Sequence, residues 1–215
     1  NNKSFDIHNW YKLADKYLDI HKPSIVGVST ISISLNPDNK EYHLTLFLNY
    51  LKSINKYVVV SGGVNATEHR VYLLENKLSD FVITKESEHK FKFLVDALHG
   101  KYNEADLPSE IFYIDQGIVN ETTGINKKVN VNYNIIDSYK KLDIETYNDV
   151  GSLNPFSRMA GQNKKYATLQ LNRGCRADCK FCGVSEFMGG QGVRTGPVEL
   201  VIKELQYLVT KRNIT

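Results

Sequence analysis

Residues 9–20, NWYKLADKYLDI, place Trp10, Leu13, Ala14, Tyr17 and Leu18 at i, i+3, i+4, i+7 and i+8, the spacing of an amphipathic helix. Pro23 follows and stops it. The period then changes. SIVGVST, 24–30, is a short apolar, β-branched run, as expected of a strand buried on both faces of a parallel sheet. KEYHLTLFLNYLKSIN returns to helical spacing, and YVVVSGG, 57–63, is a second apolar run closed by two glycines. ATEHRVYLLENKL reads as a helix, DFVIT, 80–84, as a third strand, and SEHKFKFLVDALHG as a helix ending at Gly100. Alternation of helix with short apolar strand predicts an α/β fold, an open doubly wound parallel sheet with crossover helices.

From 101 to 160 the periodicity weakens. IFYID and GIVN predict one β-hairpin, and the polar, turn-rich remainder predicts a linker. YATLQLN, 166–172, alternates like a strand. GPVELVIKELQYLVTKRN predicts a helix with Pro197 in its first turn and basic residues at its end. The expected organisation is an α/β domain at 1–100, a linker with a hairpin at 101–160, and a second domain beginning at 161–215.

Composition narrows the function classes. Hydrophobic residues make up 41% and charged residues 24%, which is ordinary for a globular chain with a sizeable core. Net charge is +3, from 27 basic and 24 acidic residues, and no basic run with interleaved aromatics points to nucleic acid. No stretch approaches the roughly 18 apolar residues of a membrane span. NNKSFDIHNW lacks a secretory pattern. The chain has three cysteines in all, clustered and odd in number, which does not suit a secreted disulfide framework. The expected setting is reducing and cytoplasmic.

Those cysteines carry the chemistry. Cys175, Cys179 and Cys182 stand in RGCRADCKFCG, a C-x3-C-x2-C spacing between a predicted strand and a predicted helix. Open α/β sheets and β/α barrels place their sites at such a position. A structural zinc site needs a fourth ligand, commonly from a second C-x2-C pair that this chain lacks, and its six histidines all lie upstream. A disulfide would leave one thiol over. A cubane iron–sulfur cluster held by three cysteines instead of four leaves one iron open to a small molecule.

CRADCKFC resembles the C-x3-C-x-aromatic-C signature of the radical S-adenosylmethionine enzymes, Phe181 included. The resemblance implies that Cys175, Cys179 and Cys182 bind three irons of a [4Fe–4S] cluster, and that the fourth iron chelates S-adenosylmethionine. It also implies that Phe181 lies near the adenine and that an electron donor such as a flavodoxin or ferredoxin serves the cluster. The sheet that precedes the cysteines resembles the cobalamin-binding domain found in one branch of that family. GVST and SGG fall at the ends of consecutive strands, where such a domain holds the nucleotide tail of cobalamin. By position, Ser29 and Thr30 would hydrogen-bond the tail, and Gly62 and Gly63 would let it approach the backbone.

The chain departs from that branch in three places. KESE, 85–88, stands where GEGE is frequent. The Asp-x-His-x-x-Gly cobalt-ligand motif is absent: Asp6 and His8 imitate its start, but Tyr11 stands at the glycine position. SIVGVST looks like the third strand of such a domain, not the first. The resemblance therefore implies an internal fragment, holding part of the cobalamin-type domain and the first β/α unit of a radical S-adenosylmethionine partial barrel. The reaction expected is reductive cleavage of S-adenosylmethionine in a methyltransferase or a related radical enzyme. A non-catalytic cobalamin or cluster sensor is the alternative, and the substrate is not legible.

Overall fold

Three apolar runs form the parallel part of one sheet. β1 (Ile25–Ser29) pairs with β2 (Val58–Gly62) in the register Ile25↔Val58 to Ser29↔Gly62. β2 pairs in parallel with β3 (Phe81–Ile83), Val60 opposite Phe81 and Gly62 opposite Ile83. The three predicted strands are thus adjacent and parallel. The computed structural model describes residues 7–31, 35–103, 106–126, 135–142, 144, 165–177, 179–188, 190 and 192–214. It divides into two units, Asn1–Val129 with Glu186–Gly189, and Asn130–Ser185 with Gly190–Thr215.

The helices of the first unit are α1 (Ile7–His21), α2 (His43–Ile54), α3 (Val64–Glu68), α4 (Arg70–Glu75) and α5 (Glu88–Leu98). Strand alternation sorts the core into two layers. Val26, Val28, Val59 and Val82 pack with Leu44, Leu48 and Leu51 of α2 and Leu73 and Leu74 of α4. The next residue along each strand points the other way, so Ile25, Val58, Val60, Phe81 and Ile83 pack with Phe93, Leu94 and Ala97 of α5. The sheet is covered on both faces, as parallel strands with near-continuous apolar sequence require.

The hairpin differs from the expectation. β4 (Ile111–Asp115) and β5 (Ile118–Glu121) lie in the region read as a linker, yet β4 pairs antiparallel with β3 and completes a five-stranded sheet. Gln116 and Gly117 turn it with φ of 49° and 79°, the positive pair that a two-residue I′ turn needs. Its pairing buries Ile111 in one layer and half-buries Phe112 and Val119 in the other. A local turn signal reveals a hairpin but not the strand edge it joins.

α1 also uses a narrower face than its periodicity implies. Leu18 is buried, but Leu13, Tyr17 and Ile20 are more than half exposed. Tyr11 stacks on Tyr50 of α2 with centroids 4.2 Å apart, and Trp10 meets Phe47 edge-on. These aromatic contacts turn the Tyr11–Ala14–Leu18 stripe toward the core.

The second unit holds α6 (Ile136–Lys141), β6 (Asn172–Cys175), β7 (Gly192–Thr195) and α8 (Val198–Arg212). A short α7 (Val184–Phe187) stands between β6 and β7 in the sequence. The strand predicted at 166–172 is a correction. Residues 165–171 carry no strand pairing, and the ladder begins at Asn172, antiparallel to β7. An alternating run becomes a strand only beside a partner, and among the described residues none pairs with 166–171. α6 packs on α8 inside the stretch read as linker. The Tyr139 hydroxyl lies 2.9 Å from Glu204 Oε1, and Arg212 donates to the Tyr139 and Leu142 carbonyls. Burial pushes the Glu204 carboxyl above its usual range, and the hydrogen bond from Tyr139 offsets this only in part. Residues 104–105, 127–134, 143 and 145–160 of the predicted linker lie outside the described residues.

Candidate functional site

Two places carry the expected site residues. The first is the cysteine loop. β6 delivers Cys175 half-buried at its end, Cys179 and Cys182 follow exposed, and all three are free. The Ala177 N–H donates to Cys175 Sγ at 3.4 Å, and the Cys182 N–H donates to the Cys179 carbonyl at 2.9 Å, closing a turn. Gly174, overlooked in the sequence, determines how the strand enters the loop. It has φ of +92°, and a Cβ there would sit 2.1 Å from the Gly192 carbonyl oxygen. Only glycine fits against β7 immediately before the first cysteine.

Phe181 is 92% exposed. An aromatic ring beside two cysteines and left in solvent has its face available for stacking. The three thiols are not drawn together: among the described residues, no group of three His, Cys, Asp or Glu stands ready to hold a metal. The donor set nevertheless fits an iron–sulfur cluster, with three unbridged thiols in eight positions of one loop. Loops of this kind reach their final geometry through the metal itself.

The second place is the row of strand tips. Ser29 is exposed at the end of β1, opposite Gly62. Thr30 is fully buried. Its N–H and its hydroxyl both donate to the Gly62 carbonyl, at 2.7 and 3.0 Å, while Oγ1 accepts the Ala66 N–H at 2.8 Å. A hydroxyl whose single proton is spent on a backbone carbonyl has none for a ligand. Thr30 ties two tips together. Gly63 is buried with φ of +109°, and a Cβ there would lie 3.1 Å from the backbone nitrogens of Thr30 and Ile31. Its glycine is required by the turn. Gly62 is half-buried, and a Cβ on it would make only ordinary contacts, 3.5 Å from the Ile83 carbonyl oxygen and 3.8 Å from Ser87 Oγ. Of the four tip residues, Ser29 and Gly62 reach the surface and Thr30 and Gly63 do not.

The third tip was missed. Glu110 accepts hydrogen bonds from Lys85 Nζ at 2.6 Å and Lys90 Nζ at 2.7 Å, and Lys90 also donates to the Thr84 carbonyl at 2.6 Å. Lys90 is 5% exposed. Its burial lowers its pKa against the pull of Glu110. Burial also pushes the Glu110 carboxyl up, but its bonds to Lys85 and Lys90 outweigh this and hold it below the usual range. A lysine in apolar helical sequence is the signal that was available, because a buried lysine implies a buried carboxylate.

No family model matches the chain. An uncharacterized methyltransferase of Pyrococcus horikoshii is 30% identical over 188 residues, which is 86% of this chain and 37% of that protein. The ribosomal protein uS12 methylthiotransferase RimO of Chlamydia abortus is 34% identical over 73 residues, 34% of this chain and 15% of that one. Among solved structures, the cobalamin-dependent S-adenosylmethionine radical enzyme OxsB with aqua-cobalamin bound superposes with a TM-score of 0.60 at 18% identity. That match covers 92% of this chain and 25% of OxsB. The radical S-adenosylmethionine methyltransferase TsrM of Kitasatospora setae, with cobalamin and a [4Fe–4S] cluster bound, gives a TM-score of 0.63 at 13% identity, covering 94% and 38%.

The fold is that of the α/β portion shared by these radical S-adenosylmethionine enzymes. The resemblance carried by the cysteine loop and the sheet is borne out at the level of fold: the chain is similar to cobalamin-dependent radical S-adenosylmethionine enzymes, and spans 37% of the length of the methyltransferase it matches. No helix among the described residues is long and apolar enough to cross a membrane.

Proposed function

We propose that this chain is the cobalamin-type domain and cluster loop of a radical S-adenosylmethionine enzyme, and that the whole enzyme transfers a methyl group or carries out a related radical transformation. On this reading Cys175, Cys179 and Cys182 hold a [4Fe–4S] cluster, and Phe181 faces the adenine of S-adenosylmethionine. When bound, the cluster supplies the electron that opens a carbon–sulfur bond of S-adenosylmethionine to give methionine and a 5′-deoxyadenosyl radical. The cysteine loop and α8 are then the first β/α unit of the partial barrel, and the five-stranded sheet is the remaining part of a doubly wound domain. The domain boundaries near 100 and 160, a reducing cytoplasmic setting and a flavodoxin or ferredoxin donor belong to the same reading.

For cobalamin, the strand tips supply the contacts. Ser29 and the Gly62 backbone meet the nucleotide tail, while Thr30 and Gly63 keep the two tips in place. No histidine of this chain supplies a lower cobalt ligand, because the Asp-x-His-x-x-Gly loop is not in its sequence.

The observation that carries the proposal is the set of three free, accessible cysteines at this spacing, with an exposed aromatic beside the last. The test is anaerobic reconstitution of the full-length protein with iron and sulfide. About four irons per chain and an oxygen-sensitive visible band are expected, and both should vanish in Cys179→Ala. Unchanged iron content in that variant sinks the assignment.

A further inference from the structure

Lys85 stands where the related branch frequently has the first glycine of GEGE, and its backbone has φ of +59°, a conformation for which glycine is the default. A lysine there needs something to hold it. We propose that Thr67 and the Lys85–Glu110–Lys90 triad are positioning residues that lock the third strand tip against the second, so that the row of tips keeps one fixed edge. That this edge receives the cobalamin tail rests on the reading above; the lock itself does not.

The lock is continuous through three elements. The Thr67 hydroxyl in α3 donates to the Gly63 carbonyl at 2.9 Å and accepts the Lys85 N–H at 3.0 Å. One side chain thus joins the tip of β2 to the tip of β3. Beyond it, Lys85 Nζ binds one Glu110 oxygen and the buried Lys90 Nζ binds the other. Glu110 is itself tied to the strand end, since its carbonyl accepts the Thr84 N–H at 3.0 Å. Its φ is +69°, so two non-glycine residues in left-handed conformations face each other across this bridge. Conformations of this kind persist where the surroundings over-determine them. Here each is fixed from both ends, by backbone pairing and by a charged hydrogen bond. The same tip reaches the second one, because Ser87 Oγ lies 3.8 Å from a Cβ placed on Gly62.

The experiment measures amide exchange at residue 85 together with hydroxocobalamin titration, in the full-length protein. Thr67→Val removes the hydroxyl at nearly constant volume, and the Lys85 amide should then exchange about five- to tenfold faster, the worth of one hydrogen bond. Hydroxocobalamin affinity should fall in parallel, and Thr67→Ser should restore both. Lys85→Met keeps the strained backbone and the length of the side chain but loses the ammonium that binds Glu110, so the amide at residue 85 should again exchange faster than in the parent. This variant decides the matter even where Thr67→Val does not fold. Unchanged exchange at residue 85 in either variant overturns the lock. A parent protein that binds no hydroxocobalamin overturns the cofactor reading alone, and the exchange measurements still decide the role of Thr67.

Discussion

The strand tips and the cysteine loop are both turns that follow a strand, and they are built in opposite ways. At the tips nearly every polar group has a partner inside the protein: Thr30 serves Gly62 and Ala66, Thr67 serves Gly63 and Lys85, and Glu110 serves two lysines. At the cysteine loop the thiols are free, two of the three are exposed, and the one aromatic is in solvent. Satisfied groups hold a shape that exists before any ligand arrives. Unsatisfied soft donors are completed by what they bind. A surface that must accept a large molecule by many weak contacts benefits from the first design, and a metal centre from the second.

The comparison is broken most directly by a pair of substitutions with opposite consequences. Cys179→Ser should remove all cluster loading and leave the unfolding midpoint of the sheet unit within error, since an exposed side chain is exchanged for a near-isostere. Leu48→Ala should do the reverse. Leu48 is wholly buried in the α2 layer, and truncating such a leucine costs about 2–5 kcal/mol through lost burial and a cavity. Iron analysis and denaturant unfolding read the two effects. If Cys179→Ser unfolds the sheet, the loop is part of the core and the contrast is false.

A second, smaller effect separates the two glycines of SGG. Gly63→Ala forces a side chain into φ of +109°, 3.1 Å from the Thr30 nitrogen, and should cost about 1–3 kcal/mol. Gly62→Ala meets only ordinary contacts at 3.5 Å and beyond, and should be nearly neutral for stability. Equal destabilisation by the two would show that the tip conformation is not what the glycine at 63 serves. Thr30→Val, which gives up hydrogen bonds to Gly62 and Ala66, should fall between them, since it leaves a buried backbone N–H without its acceptor.

The same contrast explains what the sequence disclosed. The three parallel strands were legible because each is an apolar run between helices, and burial on both faces leaves no other use for IVGVS or VVVSG. The cysteine loop was legible because spacing alone constrains how soft ligands can be used. Thr30 could not be told from Ser29 in the sequence, because a hydroxyl at a strand end looks the same whether it faces solvent or bonds the Ala66 N–H, and only the three-dimensional return of α3 sets it there. The β4–β5 hairpin was seen but not placed, because its partner edge is set by contacts distant in sequence. Lys90 and Glu110, twenty positions apart, gave no local sign of meeting. The strand predicted at 166–172 failed for a related reason: its alternation was real, but the ladder that forms begins at Asn172.

The smallest expected effect concerns acid, and lies on the packed side of the comparison. Asp96 in α5 accepts hydrogen bonds from Lys101 Nζ at 2.8 Å and Lys92 Nζ at 2.6 Å. These bonds, from Lys101 and then Lys92, hold its carboxyl down at about 2, against an ordinary value near 3.9 in an unfolded chain. The folded value is the lower one, so the unfolded chain binds more protons between about pH 4 and pH 2 and stability rises with pH across that window. The contribution is therefore complete above about pH 4 and is lost as pH falls toward 2. Both lysines are largely exposed, so salt screens the interaction and keeps it small. Thermal unfolding of the parent and Asp96→Asn, compared from pH 7 to pH 2, cancels the titration of every other group. The difference in midpoint should stay constant down to about pH 4, narrow below it, and shrink throughout in high salt. A difference that does not change with pH would show that Asp96 acts as a hydrogen-bond acceptor whose charge is irrelevant.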